Sequence, residues 1–177
     1  MNKKIDNDSI PIIKNNKIIG FDKKNIIHKK GLLHIAVSVF IFDTNDKINL
    51  MLQKRSSKKY HSSLLWTNTS CSHPVKNESI SHAAHRCLKN EMGFDCHLQY
   101  KFCFIYNEIL NNGLIENELD HVFIGKYKKH PILNFKEVAN WKWISLENLI
   151  TDIYNFPHLY TIWLKIIIKN YINKLIK

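Results

Sequence analysis

The run LHIAVSVFIF, Leu33 to Phe42, constrains this chain most. β-Branched and aromatic residues follow one another there with almost no polar interruption, which predicts a strand buried inside a sheet. Its neighbours read in the same terms. Ile10 to Ile19 forms two short apolar arms around Asn15-Asn16, a hairpin signal. Asp43-Thr44-Asn45-Asp46 is a turn, and Ile48 to Gln53 the returning strand. Lys54 to Ser63 is basic and polar, a loop, and Leu64 to Cys71 is a further short strand. Ile80, Ala83/Ala84, Cys87/Leu88 and Glu91 recur at helical spacing, with Ser79 as N-cap and Gly93 just past the end. Gln99 to Tyr106 alternates, placing Tyr100, Phe102, Phe104 and Tyr106 on one side. After a turn at Asn111-Asn112-Gly113 come strands over Ile115 to Tyr127 and Val138 to Ile144. Ser145 caps a short helix, and Pro157 opens a final amphipathic one. Strands on either side of a central helix, with more helix at the end, predict an α/β sandwich around a mixed sheet.

With 177 residues, 45% of them hydrophobic, the chain suffices for one domain over residues 1–177 and is too apolar for disorder. Five glycines and four prolines exclude a collagen-like or linker-rich architecture. Cys71, Cys87, Cys96 and Cys103 follow no paired secretory spacing, so reduced thiols in a cytoplasmic protein are expected. Met1-Asn2-Lys3-Lys4 looks like the start of a signal peptide, but Asp6, Asp8 and Lys14 interrupt any apolar stretch after it. Leu159 to Ile176 carries Lys165, Lys169, Asn170, Asn173 and Lys174, too polar to span a bilayer. The net charge of +11 is compatible with nucleic acid, with phosphorylated small molecules, or with plain lysine bias. Scattered lysines favour bias for most of the surface. The cluster Lys54-Arg55-Ser56-Ser57-Lys58-Lys59 is the exception.

Three groups of residues could carry chemistry. In Trp66-Thr67-Asn68-Thr69-Ser70-Cys71-Ser72-His73-Pro74, a thiol and an imidazole stand two apart, on one face of an extended segment. Taken alone, the pair is better read as a buried cysteine beside a partly exposed histidine. Glu116 and Glu118 also share a strand face, with side-chain bases roughly 6–7 Å apart. Such a pair repels unless a cation neutralises it or one member stays protonated; a solvated edge is the plain alternative. His28 and His34 stand at the entrance to the apolar strand. With His73 and the two glutamates they make a set of nitrogen and carboxylate donors suited to Zn²⁺, Mn²⁺ or Fe²⁺.

A fourth pattern, Ser72-x5-Glu78-x7-Arg86-Cys87-x-Lys89-Asn90-Glu91-x-Gly93, has the spacing of the Nudix box, a loop–helix–loop that holds Mg²⁺ against a diphosphate. Cys87 and Asn90 stand at two acidic positions of that box, which leaves Glu91 as the strong hard-cation ligand and counts against diphosphate hydrolysis.

Together, His28-Lys29-Lys30-Gly31-Leu32-Leu33-His34, the Trp66–Pro74 segment, the degenerate box ending Glu91-Met92-Gly93, and Glu116-Asn117-Glu118 resemble type I isopentenyl-diphosphate isomerases. The resemblance runs from about Lys17 to Lys165. It implies a Nudix-like mixed sheet flanked by helices and a 1,3-proton shift through a tertiary carbocation. His28, His34, His73, Glu116 and Glu118 would then hold one Mn²⁺ or Zn²⁺. Cys71 and Glu118 would be the acid/base pair, Glu118 with Tyr106 delivering the proton and Cys71 removing one. Mg²⁺ would sit on Glu91 with the diphosphate, and Lys24, Arg55 and Lys59 would bind its oxygens. Trp163 would face the cation. No flavin is implied, and neither nucleic acid nor membrane; the partner is a small-molecule substrate and the chain a monomer. A Nudix hydrolase of a nucleoside diphosphate derivative is the alternative enzyme, and a basic RNA-binding domain the alternative outside catalysis.

Overall fold

The computed structural model describes residues 9–43 and 48–176. The acidic residues Asp6 and Asp8, the Met1–Lys4 stretch and most of the turn expected at Asp43–Asp46 lie outside the described residues.

The N-terminal hairpin pairs β1 (Ser9–Lys14) with β2 (Lys17–Lys23). Asn15 and Asn16 both take positive φ, at 51° and 59°, the conformation a two-residue turn between twisted strands requires. A short helix follows, α1 (Lys24–Lys30), closed by Gly31 in the left-handed region. This helix was not expected. His28 lies on it, and only His34 stands at the start of β3 (His34–Phe42).

Then come β4 (Asn49–Arg55), β5 (Trp66–Thr67), β6 (Ser70–Ser72), α2 (Ile80–Met92), β7 (Leu98–Ile109), β8 (Ile115–Lys126), β9 (Val138–Ser145), α3 (Leu146–Asn155) and α4 (Ile162–Ile176). Three boundaries differ from the sequence reading. Lys54 and Arg55 end β4 instead of opening the loop, and the strand expected over Leu64–Cys71 is broken into β5 and β6. Pro157 opens a 3-10 turn, Pro157–Leu159, before the last helix. A register shift between Tyr100 and Phe102 also moves Tyr100 out of line with Phe102, Phe104 and Tyr106: it pairs with Phe123 and is half exposed.

Among the described residues, nine strands make one mixed sheet. Strand β8 runs parallel to β3 along all of His34–Phe42 and so fills one edge of it. The other edge is shared in turn by β1 at His34, β6 at Val37–Val39 and β4 at Ile41–Phe42. Period-two alternation divides the core between the faces. Val37, Val39, Ile41 and Phe123 pack with Ala83, Ala84, Leu88 and Met92 of α2. Phe40, Phe42, Val122, Phe102 and Phe104 pack with Leu164, Ile167 and Ile168 of α4. The polar members of this second face are buried too: His34, Ser38, Glu116, Glu118 and Asp120. They collect at the end of the sheet where α4 begins.

Candidate active site

Residue Glu118 is fixed by strand register. Its cross-strand partners are Tyr106 on β7 and His34 on β3, and both side chains reach it. The Tyr106 hydroxyl donates to Oε2 at 2.7 Å, His34 Nε2 lies 3.4 Å from Oε1, and His73 Nε2 lies 2.9 Å from the same oxygen. Two residues back on the same face, Glu116 is 3.3 Å from His28 Nε2 and 3.3 Å from His61 Nδ1. Donor atoms of His28, His34, His73 and Glu118 all lie within 4.8 Å of one another, as do those of His28, His61 and Glu116. All five residues expected to ligate a metal are thus brought together and buried.

The tautomers favour an ion. His28 Nδ1 lies 2.7 Å from the Lys24 carbonyl and His34 Nδ1 lies 2.8 Å from the Leu32 carbonyl. A carbonyl only accepts, so both Nδ1 atoms carry the proton, and each Nε2 is the nitrogen left for a carboxylate or an ion. Those two Nε2 atoms and Glu116 Oε2 are buried without a hydrogen-bond partner among the described residues. Buried polar groups seldom stay unpaired, and His28, which belongs to both donor groups, joins them into one buried cluster that could hold a metal ion.

Charge is distributed unevenly here. Burial pushes the Glu118 carboxyl up, but the adjacent His34 and His73 imidazoles outweigh it and hold the group well below the usual carboxylate range. Burial, then the charge of Glu118, raises Glu116. Burial and the same charge push the Tyr106 phenol well above its ordinary value, so it remains a proton donor. Burial takes the His61 imidazole down to about 2 and leaves it neutral.

Both Cys71 and Glu118 line a single pocket, with Ala36, Val37, Ser38, His73 and Trp163. Burial pushes the Cys71 thiol up to about 12, against the pull of the Arg55 guanidinium, whose Nη1 lies 3.8 Å from the sulfur. Trp163 is locked in place: its Nε1–H donates to Asn68 Oδ1 at 3.1 Å, and Arg55 stacks 5.2 Å from its ring centre.

Lys24, Arg55 and Lys59 line this same pocket. Lys24 and Lys59 extend into an adjoining pocket with Arg86, Asn90, Glu91 and Glu137. Burial, then the charges of Arg55 and Lys59, lower the Lys24 ammonium; three cations crowded together are a site for an anion. Glu91 is buried beside them, accepting from Gln53 Nε2 at 2.7 Å and from the Cys71 backbone N–H at 3.4 Å, with Lys59 Nζ 3.3 Å away. Every site residue expected from sequence lines one of these two pockets or belongs to the cluster behind them, except Tyr106, which reaches the cluster through its hydrogen bond to Glu118.

The box residues Glu78 and Arg86 serve as scaffold. Arg86 grips Glu78 with two hydrogen bonds, at 2.7 and 2.8 Å, and donates to the His73 carbonyl at 2.9 Å. Gly93 ends α2 at φ 74°, where an added Cβ would lie 2.2 Å from the Ile132 carbonyl oxygen. Cys87 is buried, its thiol donating to the Ala84 carbonyl, while Asn90 is exposed.

Sequence reading missed His61, Gln53 and Asp120. Asp120 follows Glu118 by two, so strand period alone puts it on the same face; it accepts from Ser38 at 2.8 Å. Gln53 and His61 meet Glu91 and Glu116 only through long-range folding, and nothing local marks them.

Residues 32–164 match the NUDIX domain family. A curated protein of Photorhabdus laumondii, isopentenyl-diphosphate Delta-isomerase 2, is 52% identical over 155 residues, covering 88% of this chain and 86% of its own. The chain belongs to the Nudix-fold isopentenyl-diphosphate Delta-isomerase family. Isopentenyl-diphosphate Delta-isomerase 1 of Aromatoleum aromaticum is 47% identical, over 88% of this chain and 87% of that protein. Among solved structures, DR0079 of Deinococcus radiodurans superimposes with a TM-score of 0.74 at 12% identity, over 92% of this chain and 99% of that one, a likeness of fold alone. The α/β Nudix architecture expected from sequence is the one this chain adopts, and a buried His/Glu cluster that could hold a metal ion is present. No described helix is long and apolar enough to cross a membrane.

Proposed function

We propose that this chain is an isopentenyl-diphosphate Delta-isomerase, with Cys71 and Glu118 as its acid/base pair. The observation that carries this reading is that thiol and carboxyl line one pocket together with His73 and Glu116 of the donor cluster and the three cations Lys24, Arg55 and Lys59.

His28, His34, His73, Glu116 and Glu118 would hold one divalent ion, Mn²⁺ or Zn²⁺, and Glu91 a Mg²⁺ that accompanies the diphosphate. When bound, the first supplies charge that fixes Glu118 and tunes its acidity, and the second neutralises phosphate oxygens. Lys24, Arg55 and Lys59 bind the diphosphate and so set the depth to which the isoprenoid tail enters. Glu118, hydrogen-bonded to Tyr106, gives a proton to the terminal methylene. The π pair forms the new C–H bond and leaves a positive charge on the tertiary carbon. Cys71 takes a proton from the neighbouring methylene, and that C–H pair becomes the new double bond. The thiol and carboxylate favoured without ligands are the charge state left by this turnover, and the state from which the reverse reaction starts. The Trp163 ring stabilises passing charge by about 1–2 kcal/mol, and Ala36, Val37 and Trp163 keep out the water that would trap the cation as an alcohol.

The test is purified protein with isopentenyl diphosphate, Mg²⁺ and Mn²⁺, followed by ³¹P and ¹H NMR, beside a panel of nucleoside diphosphate derivatives. Dimethylallyl diphosphate from the first and no phosphate release from the second supports the isomerase. Hydrolysis of a nucleotide without isomerisation would support the Nudix hydrolase reading instead.

A further inference from the structure

The segment Tyr60-His61-Ser62 carries more than its loop-like sequence suggests. Ser62 and Leu64 both hold positive φ, at 48° and 59°, a backbone cost that non-glycine residues bear chiefly where surrounding structure demands it. The demand here is visible. Arg55 Nε donates to the Ser62 carbonyl at 3.0 Å and Nη2 to the His61 carbonyl at 3.1 Å. Tyr60 OH lies 3.1 Å from His28 Nδ1. The His61 ring is buried, 5.5 Å from the His28 ring and 6.2 Å from that of Trp163.

Glu116 is the residue this turn addresses. Its two oxygens face different neighbours: Oε1 lies 3.3 Å from His61 Nδ1, and Oε2 lies 3.3 Å from His28 Nε2. Oε2 is the oxygen left without a hydrogen bond. A carboxylate on a strand can rotate about its last torsion and present either oxygen. Anchoring one oxygen from outside a cluster aims the other inward, as partners of metal-ligating carboxylates do.

We propose that His61 is a positioning residue for Glu116, its Nδ1–H holding Oε1 so that Oε2 faces the ion. The assignment rests on the metal site proposed above. It adds a residue from the substrate-side turn, so one short segment joins the diphosphate arginine to the metal carboxylate.

The experiment is Mn²⁺ affinity of the full chain by chelator competition, with thermal unfolding of each ion-free variant as a folding check. His61→Asn keeps an amide N–H near the place of Nδ1, and His61→Gln places one near Nε2 instead. His61→Ala should weaken Mn²⁺ binding by about 10–100-fold, His61→Asn should return it to within about threefold of wild type, and His61→Gln should not. Should the alanine variant fail to fold, the Asn–Gln contrast decides alone. Wild-type affinity in His61→Ala, or rescue by Gln but not Asn, would overturn the assignment. A wild-type chain that binds no Mn²⁺ would overturn the metal site itself, and this inference with it.

Discussion

Tyr106 and Glu118 are directly opposed across the antiparallel β7–β8 ladder, and the phenol donates to the carboxylate at 2.7 Å. The same register puts Phe104 opposite Asp120, so a slip of one residue would turn the whole acidic row to the other face. Tyr106→Phe removes one hydroxyl and leaves ring packing intact. We expect kcat to fall about 10²-fold, within the range of general acid–base contributions, with bound metal unchanged. Equal loss of metal and activity would instead make the hydroxyl a prop for the cluster.

The height of the Cys71 pKa is testable without substrate. A thiol pushed up to about 12 by burial is thiolate in on the order of one molecule in ten thousand at pH 8, and the thiolate is the form that reacts. Iodoacetamide should therefore modify the exposed Cys103 well before Cys71. Cys71 labelling should rise about tenfold per pH unit, read by peptide mass spectrometry. Faster labelling of Cys71 at pH 8 would contradict the burial argument.

The Glu78–Arg86 pair links acid stability to the site. Burial raises the Glu78 carboxyl, but the Arg86 hydrogen bonds more than offset this and lower it. A depressed folded value stabilises the protein above the unfolded carboxylate value, about 4.3, and the contribution disappears as pH falls through the folded one. Arg86→Ala should lower the unfolding midpoint at pH 7 and converge on wild type in strong acid. Because Arg86 also holds the His73 carbonyl, the variant should bind Mn²⁺ more weakly at pH 7.

The cation trio predicts an anion-dependent stability. Lys24, Arg55 and Lys59 repel one another, so inorganic pyrophosphate with Mg²⁺ should raise Tm in thermal unfolding. Arg55→Gln should lose most of that shift. An Arg55→Gln shift as large as wild type would remove Arg55 from the phosphate site.

Much of this was legible in the sequence because it is local. Asn15-Asn16, Ser79, Gly93 and Ser145 act where backbone chemistry requires them, and period two places Glu116 and Glu118 on one face. Helix α1 was not legible: it is only seven residues long with no side-chain cap, and it is held by packing. The Tyr100 misassignment has the same origin, since a bulge is set by the partner strand. His61 belongs with them, as its meeting with Glu116 exists only in the folded chain.

The central claim, a proton entering from Glu118 and leaving to Cys71 across one pocket, is tested most directly by running the reaction in D₂O. Isopentenyl diphosphate with Mg²⁺ and Mn²⁺ should give dimethylallyl diphosphate with deuterium in the methyl group formed from the terminal methylene. Cys71→Ala and Glu118→Gln should each abolish that label to within about 10⁻³ of the wild-type rate. Dimethylallyl diphosphate without deuterium, or wild-type labelling in Cys71→Ala, would contradict it.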